Sequence, residues 1–243
     1  MEAEALSQID RESLTWLNQG RRRLLFLTLQ REITGDAEIL EVGAGYGSNL
    51  QVITKFGKVD VLETNASAIE RLREHSEVRT VYTEPLPFSD VSRKYDVICA
   101  LDVLEHVEND AAAARWIIDH LRPGGILIAT VPAYQWFFSQ HDIINHHFRR
   151  YTASQLAGLF PADIKIKQIS YFNALLLPLA VASRIIWHFT ERRQDGRIEK
   201  QSATIWGPID GLFRSCLFGE AWFIRSGGRL PFGLSVFCVI RRD

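Results

Sequence analysis

A glycine at every second position from Gly43 to Gly47, directly behind the apolar run Ile39-Leu40-Glu41-Val42, constrains this chain more than any other feature. The run reads as a short buried strand. The glycines let the backbone turn sharply, adopt positive φ and lie close against a ligand with no side chain in the way. Residues Ser48 to Lys55 then read as a helix whose positive end faces the loop. A strand, a glycine turn and a helix form the nucleotide-binding corner of an open parallel sheet. A tight turn that holds no ligand is the competing reading of the loop taken by itself.

The next segments repeat the same alternation. Lys58–Glu63 reads as a second strand that ends in an acid 20 residues after Gly43, where a carboxylate can accept ribose hydroxyls. A solvent-facing strand end is the bland alternative. A helix from Ala66 to about Ser76 and a strand at Val78–Tyr82 follow. Tyr95–Leu101 is apolar and β-rich, so it reads as a central strand buried on both faces. It delivers Asp102-Val103-Leu104-Glu105-His106-Val107 to the carboxyl edge of the sheet, where ligands bind in such folds. Ala111–Leu121 reads as a helix stopped by Arg122-Pro123-Gly124-Gly125, and Ile126–Val131 as the fifth strand. Alternating βα units of this kind predict an α/β fold with a doubly wound parallel sheet.

Charge and cysteine usage narrow the function classes. With 28 basic and 29 acidic residues the net charge is -1, so no basic field suggests a nucleic-acid partner. Cys99, Cys216 and Cys238 are widely spaced and odd in number, which points to free thiols in a reducing compartment. The acidic start Met1-Glu2-Ala3-Glu4 is not a signal peptide, and the expected location is cytoplasmic. Residues 5 to 32 read as one or two helices that could cap the cleft, with Arg21-Arg22-Arg23 as a solvated basic face and an anion or membrane contact as the alternative.

The ordered motifs Glu41–Gly47, Glu63, Leu101–Val107 and Leu121–Gly125 resemble those of class I S-adenosylmethionine-dependent methyltransferases, over roughly residues 35 to 170. The chain also resembles a bacterial branch of that family in Gly20–Leu24, His146–Thr152 and Pro231–Ser235. The resemblance implies the Rossmann-like methyltransferase fold, with a doubly wound, mostly parallel sheet of seven strands, S-adenosylmethionine as cofactor, and small-molecule or lipid-like acceptors. Gly43, Ala44 and Gly45 would let the backbone pass the methionine moiety, Glu41 would help position its amino group directly or through water, Glu63 and Thr64 would hold the ribose, and Leu101 and Asp102 would line the cofactor's other side. Relatives often carry an acid after the third strand to bind adenine. The aligned position here is Tyr82, with Glu84 the nearest acid, and neither joins the expected site.

Where the acceptor is a hydroxyl, a base is useful, and histidine suits neutral pH. His106 lies at the sheet edge. His141 lies in the connection after the fifth strand, where the family builds its acceptor pocket; these two are the expected catalytic residues. Tyr134, Asp142 and Arg149 are the expected acceptor contacts, with a structural role for Arg149 as the alternative. His141, His146 and His147 match no zinc spacing and no cysteine joins them, so no metal is expected. For Arg150 and Tyr151 a structural role is favoured, and Thr152 reads as the N-cap of the next helix.

After a strand at Ile164–Ser170, residues 171–189 are strongly apolar, interrupted by Pro178 and Arg184. A charge near the middle of a span costs about 3 kcal/mol on insertion scales. A lid packed on the core or on a second subunit (a homodimer), a helix in the membrane interface, and a true span all stay open. A basic loop at Glu191–Lys200 and a second apolar helix near Ile205–Phe218 come next, and Leu234–Ile240 reads as a final apolar strand, which the resemblance implies returns antiparallel beside Ile164–Ser170. The chain is therefore read as one domain: a helical cap at 1–34, a core at 35–170 and 231–243, and an apolar insertion at 171–230. Two rival functions share these features. A nicotinamide-dependent oxidoreductase would use the same turn and acid, but the glycine spacing differs and no Tyr-x-x-x-Lys pair is present. A non-catalytic module could bind the cofactor, or an apolar partner through 171–230.

Overall fold

The computed structural model describes residues 16–161, 164–182 and 210–243. Its elements are α1 (Trp16–Glu32), β1 (Ala37–Val42), α2 (Leu50–Ile53), β2 (Gly57–Leu62), α3 (Ala66–Glu74), β3 (Val78–Tyr82), β4 (Tyr95–Leu101), α4 (Asp110–His120), β5 (Leu121–Pro132), α5 (Gln140–Ile144), α6 (Ala153–Gly158), β6 (Lys165–Phe172), α7 (Asp210–Arg225) and β7 (Ser235–Arg241). The seven strands form one sheet in the order β3-β2-β1-β4-β5-β7-β6. All neighbours are parallel except β7, which runs antiparallel between β5 and β6. The expected doubly wound α/β sheet is what forms.

Alternation within the central strands explains how both faces are covered. Ile98 and Ala100 of β4 point to the side packed by Ala113, Ala114 and Ile117 of α4, whereas Val97, Cys99 and Leu101 point to the side packed by Leu24 and Leu25 of α1. Side chains in a strand alternate faces, so a strand with helices on both sides must be apolar throughout. α1 and α7 lie together on the second side. Their contact is close because α1 carries Gly20: a Cβ there would sit 2.6 Å from Leu217 Cδ1. Trp16 and Phe213 extend this seam, with ring centroids 5.3 Å apart.

Two local expectations change. The helix predicted over Ser48–Lys55 shrinks to the four residues of α2, because residues 44–49 are spent in turns and β2 starts at Gly57. The amide of Gly47 donates to the Ala44 carbonyl (3.0 Å) and that of Leu50 to the Gly47 carbonyl (3.0 Å). So short a helix brings little dipole to the loop. The stop signal Arg122–Gly125 is instead a bulge within β5: Tyr95 pairs with Leu121, and Val97 next pairs with Ile126.

The apolar segment after β6 is described only in part. Phe172 belongs to β6, and residues 177–182 are helical. The readings placed on residues 5–15, on Arg184 and on Glu191–Lys200 lie outside the described residues. α7 runs further than predicted and buries Leu217, Ala221 and Ile224 on the core. No helix among the described residues is long and apolar enough to cross a membrane.

Candidate active site

The carboxyl ends of β1, β2 and β4 converge on the glycine loop. Gly43 (φ +65°) donates its amide to the Leu62 carbonyl at 2.8 Å, and a Cβ there would meet Val103 Cγ2 at 2.6 Å. Only glycine combines that φ with that contact. Buried Ala44 donates to the same carbonyl at 3.3 Å. Gly45 (φ +54°) donates its amide to Glu63 Oε2 at 2.7 Å.

Two carboxylates flank the loop in different surroundings. Glu63 is held by backbone alone: its Oε1 accepts from the amides of Thr64 (2.7 Å) and Asn65 (2.8 Å), and its Oε2 from Gly45. A carboxylate has about four acceptor sites, so one direction is left for a hydroxyl donor. Glu41 is buried within the sheet edge. Its Oε1 accepts from Asn49 Nδ2 at 2.7 Å, while Glu41 Oε2 and Asn49 Oδ1 are buried without a hydrogen-bond partner. Burial pushes the Glu41 carboxyl up to about 7, against the pull of the Asn49 bond. Two orphaned acceptors side by side suit a ligand that brings an ammonium group.

Beyond Leu101, Asp102 takes φ +56°. Its amide donates to the Thr130 carbonyl (2.9 Å), its Oδ1 accepts from Thr130 Oγ1 (2.8 Å), and its Oδ2 is ion-paired with Arg21 of α1. Arg22 Nη1 donates to the Ser48 carbonyl at 3.2 Å. The basic face read as solvated therefore turns inward at Arg21 and Arg22, while Arg23 stays exposed, and α1 closes over the loop.

The turn Leu104–His106 begins the acceptor side. Glu105 is 0% exposed and both carboxylate oxygens lack partners; burial first, then the Asp102 charge, pushes its carboxyl well above the usual range. Its carbonyl accepts from the Phe148 amide at 2.7 Å, which brings the chain after α5 beside the turn. The rings of His106 and His147 consequently meet edge to face at 4.6 Å. Desolvation, then the neighbouring His147, lowers the His106 imidazole below its ordinary value. His147 Nδ1 lies 2.8 Å from Asp142 Oδ1.

The structure places the predicted acceptor-side residues unequally. His106 sits with Glu105 and His147. His141 is on the exposed side of α5, where its Nε2 is 3.0 Å from Asn145 Nδ2. Asp142 points inward and is filled from within: Arg150 donates from Nε (2.7 Å) and Nη2 (3.0 Å), and the Ser139 amide at 2.8 Å. These bonds hold the carboxyl down at about 2 in spite of its burial. Arg149 is engaged by Asp110 (2.8 Å) and the Glu108 carbonyl (2.7 Å). Tyr134 (φ +62°) stacks between Tyr171 and Trp136, with centroids at 5.2 and 5.5 Å. Thr152 caps α6 as expected, in a reciprocal pair with Gln155. His147, Glu105 and Arg21 are the residues that sequence reasoning did not select. The pair Asp142 and His147 within one short segment was the available signal for His147; nothing local singled out Arg21.

The profile of the methyltransferase-domain family matches residues 10–192. The chain belongs to that family. A ubiquinone biosynthesis O-methyltransferase of Rickettsia canadensis is 31% identical over 96 residues, covering 37% of this chain and 41% of that protein. The chain thus spans about two fifths of the length of the curated relatives it matches. The plantazolicin methyltransferase BpumL in complex with SAH superposes with a TM-score of 0.60 at 12% identity, over 99% of this chain and 90% of that one. Coclaurine N-methyltransferase bound to N-methylheliamine and SAH gives 0.57 at 16% identity, over 90% and 72%. These structures share the methyltransferase fold, and family membership bears out the class I resemblance. It lends no support to the nicotinamide-dependent alternative.

Proposed function

We propose that this methyltransferase moves the methyl group of S-adenosylmethionine onto an oxygen of a small or lipid-like acceptor. The observation that carries the reading is the pair Glu41 and Glu63 on either side of the glycine loop: one offers orphaned buried acceptors, the other a backbone-fixed carboxylate. When bound, S-adenosylmethionine supplies a methyl carbon on a positively charged sulfur. Glu41 Oε2 and Asn49 Oδ1 would take its ammonium group, Glu63 a ribose hydroxyl, and the Gly43–Gly45 backbone its length, with Ala44, Thr64, Leu101 and Asp102 lining the rest. Alignment of the nucleophile and exclusion of water supply much of the acceleration in such a transfer.

His106 is retained as the catalytic group on the acceptor side. His147 can share the role at Nε2, since Asp142 already occupies its Nδ1. An imidazole nitrogen would take the hydroxyl proton as the acceptor oxygen receives the methyl group, the electron pair of the broken S–C bond staying with the departing S-adenosylhomocysteine. Tyr134, in its aromatic stack, is the retained acceptor contact. Asp142 and Arg149 are assigned to holding the pocket, and His141 is not retained. The single-domain organisation, with 171–230 as an insertion, is part of the same proposal.

Titration with S-adenosylhomocysteine, with NADH as control, tests the cofactor. Micromolar binding of the first alone supports the reading, and binding of NADH alone overturns it. Label transfer from methyl-tritiated cofactor to a panel of phenolic, amine and thiol acceptors then tests the acceptor atom.

A peripheral membrane contact is a second reading, compatible with a lipid-like acceptor. Leu175 and Leu179 after β6, and Trp222 and Phe223 on α7, expose apolar side chains. Glu220 fastens the two segments together by accepting from the amides of Ala174 (3.1 Å) and Leu175 (2.9 Å). Flotation with anionic vesicles is expected to carry the protein upward; protein that stays wholly in the soluble fraction ends this reading.

A further inference from the structure

We propose that Glu105, His106 and His147 form a binding site for one divalent transition-metal ion beside Asp102, on the acceptor side of the cleft. One donor atom from each residue lies within 4.8 Å of the others. No stretch of sequence contains the set: it is assembled where the Leu104–His106 turn meets the chain after α5.

Three observations converge. First, Glu105 is 0% exposed with both carboxylate oxygens unpartnered, whereas buried carboxylates in folded proteins are paired or coordinate metals. The nearby cations are engaged elsewhere, Arg21 with Asp102 and Arg150 with Asp142. Second, His147 has the arrangement usual for a metal-bound imidazole. Its Nδ1 is fixed by a carboxylate that is itself held by Arg150 and Ser139, which leaves Nε2 as the ligand atom. Third, exposure rises from buried Glu105 through half-buried His147 to exposed His106, so the set reaches from the interior to solvent, from which an ion would enter.

The donor set also names the kind of ion. Two imidazole nitrogens with one carboxylate oxygen suit zinc, cobalt, iron(II) or manganese, whereas magnesium and calcium prefer all-oxygen sites. With bonds of about 2.1 Å a tetrahedral ion spaces its donors about 3.4 Å apart, so donors that now lie within 4.8 Å of one another close by at most about 1.4 Å on binding. Three protein ligands leave a position for water or an acceptor oxygen, the pattern of catalytic rather than structural sites. With the ion bound, His106 and His147 hold it in place of taking the proton, and the ion acts as a Lewis acid that lowers the pKa of an acceptor hydroxyl, which loses its proton to solvent water. That role rests on the methyl-transfer reading above; binding of the ion does not.

The experiment is titration of chelator-treated protein with Co2+, followed by visible absorption and calorimetry, with S-adenosylhomocysteine binding measured in parallel. One Co2+ per chain, with bands of four- or five-coordinate geometry, is expected for the native protein. Glu105→Gln and His147→Ala should each weaken it at least tenfold, and so should His106→Ala, whose exposed position spares the fold. Circular dichroism verifies folding of each variant. No Co2+ binding by native protein that binds S-adenosylhomocysteine overturns the proposal, and so does equal affinity in all three variants. Co2+ bands without homocysteine-compound binding would leave the ion site standing and remove the cofactor reading instead.

Discussion

Arg21 and Asp102, 81 residues apart, form an ion pair that locks α1 over the carboxyl end of β4. Asp102 is held from the other side by Thr130, and Arg21 also donates to Asn18 Oδ1 at 3.1 Å. The pair joins the helix that covers the cleft to the strand end that lines it.

Breaking this pair should affect ligand binding more than folding. Pairs this open to solvent are worth about 0–1 kcal/mol. Arg21→Ala is therefore expected to lower Tm only slightly and to weaken S-adenosylhomocysteine binding severalfold. A double-mutant cycle with Asp102→Asn, read by calorimetry, should give coupling in the ligand affinity; strict additivity would count against closure by α1.

Glu41 makes binding pH-dependent. Its carboxyl is raised from 4.5 to about 7, so between those values the folded chain keeps a proton that the unfolded chain has lost. Stability consequently falls as pH rises through this window, by about 3 kcal/mol when complete. Glu41→Gln should raise Tm at pH 8 and change it little at pH 4. An ammonium ligand favours the carboxylate, so binding at pH 6 should release a proton, measurable in buffers of different ionisation enthalpy. The variant should lose that proton release along with affinity.

Gly43→Ala should disable the loop. A non-glycine residue at positive φ costs about 1–2 kcal/mol, and the new methyl would meet Val103 at 2.6 Å. Lower Tm and loss of S-adenosylhomocysteine binding are expected. Gly45→Ala meets no neighbour within 4 Å, so its loss should be smaller.

Glu63 does more than face a ligand. Because it receives three backbone amides, Glu63→Ala should lower thermal stability as well as affinity. Glu63→Gln, which retains one acceptor oxygen, should fall between, and an unchanged dissociation constant in both variants would remove the ribose assignment.

Asp142 is expected to be structural. Its removal leaves the Arg150 guanidinium buried without its partner, and breaking such a pair costs about 3–5 kcal/mol. Asp142→Ala should show a large drop in the unfolding midpoint, measured by denaturant titration, whereas His141→Ala should change neither stability nor turnover.

Much of this protein was legible in its sequence because the relevant forces are local. Apolar runs in β1, β4 and β7 must be buried on both faces, and glycines at positive φ mark the turn after β1 whatever surrounds it. The acid at the tip of β2 follows from the length of one βα unit. The pattern marked β7 as a strand, and the family resemblance implied its antiparallel return beside β6. Tertiary structure decided what local pattern does not encode. A basic run on α1 reads the same whether it meets water or Asp102. His141 and His147 look alike in sequence, but the capped turn of α5 sends Asp142 inward, and the Phe148 amide on the Glu105 carbonyl selects His147. Periodicity and backbone freedom fix elements over a few residues; which side chains meet across 40 or 80 residues depends on the packing of the whole sheet, and that packing places the acceptor side.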